Sequence, residues 1–109
     1  MSHRCNRCEP LPAAVLEAAD VLGRRWSLAL LYASHAGAVR FNEFRQALGE
    51  IPPRTLSQRL ADLEAAGLLE RCVIDSRPPH VEYRLTSHGR RTKAVVDVLT
   101  RWQVRATGS

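Results

Sequence analysis

The stretch from Pro52 to Leu85 constrains this chain most. Leu56, Leu60 and Leu63 recur at helical spacing after Pro52-Pro53, and Gly67 ends the pattern. Proline is favoured in a first helical turn because its missing N–H would have no partner there. Residues 68–74 and 81–85 then read as two strands, with Val81, Tyr83 and Leu85 alternating with polar residues. Residues 75–80, which contain Pro78-Pro79, make the turn between them. A chain of 109 residues is one domain and buries roughly two thirds of its unfolded surface, enough for one core.

The flanking sequence supplies helices. Residues 1–12 carry no apolar periodicity and read as an irregular arm. From Ala13, the residues Val15, Ala18, Ala19 and Leu22 share a helical face that Gly23 terminates. A second helix is expected from Trp26 to about His35, apolar nearly all round and therefore central and buried. Val39-Arg40-Phe41 reads as a very short strand, and a third helix carries Phe41, Phe44, Ala47 and Leu48 up to Gly49. A last helix, about 87–104, places Val95, Val98, Leu99 and Trp102 on one side. The expected organisation is an arm (1–12), one domain (13–105) and a short tail (106–109). The element order is that of a winged helix-turn-helix: mainly α with a small β-hairpin, an α+β fold class.

Charge points toward a partner. Sixteen basic residues against eleven acidic ones leave a net charge of +5, and Lys93 is the single lysine. Arginine makes forked contacts with phosphates and guanine edges, so an anionic polymer is the first partner to test. No apolar run approaches the ~20 residues of a membrane span, and no export signal is visible, so a cytoplasmic location without membrane attachment is expected. An arginine-rich solvated surface is the competing explanation of the charge.

A helical wheel sharpens the expectation. Opposite the leucine stripe lie Arg54 and Gln58, flanked by Thr55 and Ser57, with Arg59 nearer the core edge and suited to a phosphate. An ordinary solvated face mixes Glu and Lys, whereas the acids here, Asp62 and Glu64, enter only in the second half. The hairpin tip adds Arg77 and His80, around prolines expected to hold it extended.

Several motifs in consistent order resemble the HxlR-type winged helix-turn-helix regulators, relatives of the MarR group. They are Arg40-Phe41-Asn42-Glu43-Phe44, the run from Ile51 to Leu60, the run from Leu63 to Arg71, and Pro78-Pro79-His80-Val81-Glu82-Tyr83-Arg84-Leu85-Thr86 with Gly89. Gly23-Arg24-Arg25-Trp26 is similar to the Gly-Gly-Lys-Trp stretch of that family. The resemblance covers about residues 20–102 and implies a dimeric repressor or activator responding to electrophiles, oxidants or small ligands. With Arg40 and Asn42 added, the expected DNA-contacting set is Arg40, Asn42, Arg54, Thr55, Ser57, Gln58, Arg59, Arg77 and His80. Dimerisation is expected through the first and last helices, by Val15, Leu22, Val95, Val98, Leu99 and Trp102.

Cys5, Cys8 and Cys72 cannot all pair within one chain. Arg4 and Arg7 beside Cys5 and Cys8 favour the reactive thiolate. A redox switch, a zinc site needing a fourth ligand and inert thiols all remain open, with Cys72 expected to pack as a small apolar strand residue. No nucleophile motif, phosphate loop, metalloprotease motif or carboxylate pair suggests an enzyme, and no cofactor is expected. The leading expectation is a homodimeric regulator binding a double-stranded DNA operator. A winged-helix protein-interaction module and a thiol or zinc sensor without DNA output are the alternatives.

Overall fold

Leu56, Leu60 and Leu63 are buried along one face of α4 (Pro53–Ala65), as their spacing requires. The structure, a computed structural model, describes residues 9–102 and 104. Around α4 stand α1 (Ala13–Leu22), α2 (Ser27–His35) and α3 (Phe41–Leu48), and beyond it the strands β1 (Leu69–Ile74) and β2 (His80–Leu85). Two short helices, α5 (Ser87–Arg90) and α6 (Lys93–Leu99), follow. The fold is α+β, as expected. Leu30 and Leu31 of α2, Phe44 of α3, Ile51, the α4 leucines, Leu68, Leu69 and Val96 form one core. Each such side chain contributes about 1.5–3 kcal/mol on burial.

Local chemistry sets the boundaries around α4. No side chain caps its start; Pro52 offers only its carbonyl, which accepts from Leu56 N–H at 2.9 Å. At the far end Gly67 adopts φ 79°, and Leu68 N–H donates back to the Leu63 carbonyl at 2.9 Å. This left-handed step turns the chain from helix into hairpin, and glycine adopts it without Cβ strain. The strands pair antiparallel from Leu69 opposite Leu85 to Ile74 opposite His80.

Five local expectations are corrected. Residues 39–41 form no strand, because the Val39 and Arg40 N–H groups both donate to Glu43 Oε1, at 2.8 and 2.9 Å. That cap opens α3 and leaves β2 one bond, from Tyr83 N–H to the Val39 carbonyl at 2.7 Å. Trp26 precedes α2 rather than opening it, with φ 80°. Nor is α2 covered all round: Ala29 and Tyr32 are exposed. The hairpin tip folds back on itself instead of extending, since Ser76 Oγ donates to the Pro78 carbonyl at 2.8 Å.

The last correction concerns residues 87–104, which are not one helix. Thr86 Oγ1 caps α5 by accepting from Gly89 N–H at 2.9 Å, and Thr92 Oγ1 donates to the Gly89 carbonyl at 2.7 Å. Such local side-chain bonds compete with helix propagation. The break turns Val96 into the core, so Val95 and Val98 face outward.

Candidate nucleic-acid interface

The exposed side of α4 begins with arginine and amides. Arg54, Ser57 and Gln58 are exposed, while Thr55 and Arg59 are half-buried at the edges of the leucine stripe. Proline at N1 and an uncapped first turn leave the helix start to solvent. Backbone N–H groups and the helix dipole favour an anion there, and no acid occupies the first turn.

Further along, one carboxylate gathers three of the polar side chains. Asp62 Oδ1 accepts from Gln58 Nε2 at 3.0 Å. Its Oδ2 accepts from Arg59 Nη1 at 2.6 Å and from Arg24 Nη1 at 3.4 Å. Arg59 Nε also donates to the Arg25 carbonyl at 3.1 Å. Arg59, assigned from the wheel to a phosphate, is therefore a strut between α4 and the strained turn at Trp26. Partial burial works against the Asp62 charge. The hydrogen bonds from Gln58 and Arg59, with the charges of Arg24 and Arg59, outweigh it and hold the carboxyl below its ordinary pKa. Sequence reasoning passed over Asp62, although its i−4 and i−3 spacing to Gln58 and Arg59 is a legible signal. Arg24 lies 38 residues away in sequence and left no such signal.

On the hairpin, Arg77 is exposed at the tip, whereas His80 is engaged internally. Its Nδ1 lies 3.1 Å from Ser76 Oγ and its Nε2 lies 3.0 Å from Glu82 Oε2. Glu82 also accepts from Arg84 Nε at 2.8 Å. These bonds from His80 and Arg84 hold the Glu82 carboxyl below its ordinary pKa. The chain Ser76–His80–Glu82–Arg84 ties the wing together, and Arg77 stands exposed at its tip. Arg40 and Asn42, exposed at the start of α3, line a groove of about 510 Å³ together with His80 and Val81 of β2.

The remaining expected residues divide. Val15, Val95, Val98 and Trp102 are exposed, while Leu22 and Leu99 pack partly on the core. Cys72 is a half-buried residue of β1 opposite Glu82, its thiol donating to the Glu70 carbonyl at 3.7 Å. Cys5 and Cys8 lie outside the described residues. Among the described residues, no His, Cys, Asp and Glu cluster is placed to hold a metal, and no helix is long and apolar enough to cross a membrane.

Comparison with known proteins bears on this geometry. Residues 21–108 match the family described as HxlR-like helix-turn-helix. The HTH-type transcriptional regulator YybR of Bacillus subtilis is 41% identical over 83 residues, 76% of this chain and 66% of that protein. YvaP of the same organism is 34% identical over 101 residues, 93% of this chain and 87% of its own length. Among solved structures, the redox regulator HypR in its reduced form superposes with a TM-score of 0.74 at 39% identity, covering 83% of this chain and 89% of HypR. The reduced transcriptional regulator YodB from B. subtilis superposes with a TM-score of 0.75 at 29% identity, covering 85% and 91%.

Proposed function

Because this chain belongs to the HxlR-like helix-turn-helix transcriptional regulators, we propose that it binds operator DNA sequence-specifically as a homodimer. In this reading α4 enters the major groove, and Arg54, Ser57 and Gln58 meet base edges and phosphates there. Arg77 reaches the flanking backbone or minor groove. Arg40 and Asn42 add backbone contacts beside the hairpin. The observation that carries the reading is the solvent-facing start of α4, where arginine, serine and glutamine stand with no acid among them. Twofold symmetry would put two such helices in successive major grooves, with half-site centres ~34 Å apart.

The test is a gel shift against the gene's own upstream region at two salt concentrations. Specific binding with a steep salt dependence supports the reading. Affinity at background on every sequence would instead favour a winged-helix module for protein partners. R54A should cost about 1–3 kcal/mol on the preferred site and relax selection at one base position.

A thiol signal belongs to the same proposal. HypR is described as a redox regulator, and a YodB structure is of the diamide-treated protein. Cys5 and Cys8 stand beside Arg4 and Arg7 in this chain, a setting that favours thiolates. Diamide would oxidise two thiols to a disulfide, its azo group taking up the two hydrogens. Operator affinity should then fall, and C8S, more than C72S, should abolish the response. Equal affinity of oxidised and reduced wild type would make the thiols bystanders.

A further inference from the structure

Gln58 and Asp62 together carry more than a solvated surface would. A carboxylate only accepts hydrogen bonds, so the Gln58 amide must turn its nitrogen, and not its oxygen, toward Asp62. That removes the twofold ambiguity of an exposed amide. One N–H is spent on Asp62 Oδ1, and the carbonyl oxygen and the second N–H remain. With Asp62 on the N–H that points away from the carbonyl, the remaining N–H and the oxygen lie side by side and complement the N7 and N6–H of adenine in the major groove. Guanine offers two acceptors at that edge and cytosine a donor only, so neither satisfies both groups. Asp62 is itself immobilised: Arg59 and Arg24 hold its other oxygen, and its side chain is 18% exposed.

We infer that Asp62 is a positioning residue for base recognition, fixing the Gln58 amide so that it selects adenine at one position of each bound site. The inference rests on the DNA-binding reading above, and it adds which base is read and what enforces the choice. Arg59 is part of the device because it braces Asp62 while tied to the Arg25 carbonyl. In D62N the neighbouring side chain can donate or accept, so the Gln58 amide is no longer held in one orientation.

The experiment is a randomised-site selection on wild type, Q58A, D62N and the Q58A/D62N double variant, followed by titration of the selected site and its single-base substitutions. Wild type should prefer adenine at one position by about tenfold or more, the scale of one bidentate contact. Q58A and D62N should each lose most of that preference, and the double variant should lose no more than Q58A alone. A purely structural Asp62 would lower affinity evenly on all sequences and leave the preference intact, and that outcome overturns the inference. So does a wild-type site in which no adenine depends on Gln58. Thermal melts accompany each variant, and D62S replaces D62N if the latter is too unstable to assay. Failure of wild type to bind any sequence specifically would sink the DNA-binding reading itself, an outcome separate from an unrelaxed D62N.

Discussion

Arg59 and Arg77 are both arginines on the proposed DNA side, yet their surroundings assign them different work. Arg59 is bonded to the Arg25 carbonyl and to Asp62, and its side chain is only 19% exposed. R59A should therefore lower folding stability by about 1–3 kcal/mol, read as a shifted urea midpoint with unchanged slope. An unchanged midpoint would return Arg59 to the pool of solvent-facing cations. Arg77 has no such ties among the described residues, so R77A should leave the midpoint alone. It should weaken DNA binding on all sequences and reduce the salt slope by roughly one unit for one lost phosphate contact. Loss confined to one sequence, with the slope intact, would mean that this arginine reads a base.

Two elements owe their shape to single residues. Gly89 sits where α5 crosses the chain just before β1, and a Cβ there would lie 2.0 Å from the Leu68 carbonyl oxygen. Backbone cannot yield as a flexible side chain would, so G89A should destabilise by about 3 kcal/mol, measurable by thermal or chemical unfolding. The wing should respond to acid. Glu82 has a folded pKa below its ordinary value, set by the bonds from His80 and Arg84. A depressed carboxyl stabilises the fold above its unfolded pKa and loses that contribution as pH falls through the folded value. Wild-type stability should accordingly fall more steeply than that of E82Q as pH drops through and below the ordinary glutamate range. Parallel stability profiles would show that the Ser76–His80–Glu82–Arg84 chain contributes nothing to wing stability.

At the scale of the whole molecule, exposed apolar side chains among the described residues gather on α1, on α6 and on the segment just after α6, with Val73 of β1 and Tyr32 of α2 lying apart from them. Val15, Leu16, Val95, Val98 and Trp102 are all 45% or more exposed, Trp102 at 61%. Surface of this kind marks an interaction site more often than bare solvent. V98D should shift the protein to monomer in sedimentation and weaken operator binding at least about tenfold, because two half-sites are no longer held by one particle. A wild-type monomer at micromolar concentration, or an unaffected V98D dimer, would move the interface elsewhere.

The leucine stripe, the glycine stop and the alternating strands were legible in the sequence, because each rests on neighbours within a few positions. So were the family and the outward set Arg54, Ser57 and Gln58, since helical periodicity alone separates that face from Leu56, Leu60 and Leu63. Periodicity passed over polar bonds that are just as local: Glu43 took the N–H groups that a strand at 39–41 would have needed, and Thr92 bonded back to Gly89 within a run that looked helical to 104. Tertiary structure decided the partners that lie far away in sequence. Arg59 is tied inward only because the Arg25 carbonyl, 34 residues earlier, comes within reach of its guanidinium. Local spacing determines which face of a helix is apolar, whereas the partner of each polar group on the other face depends on residues brought near only by folding.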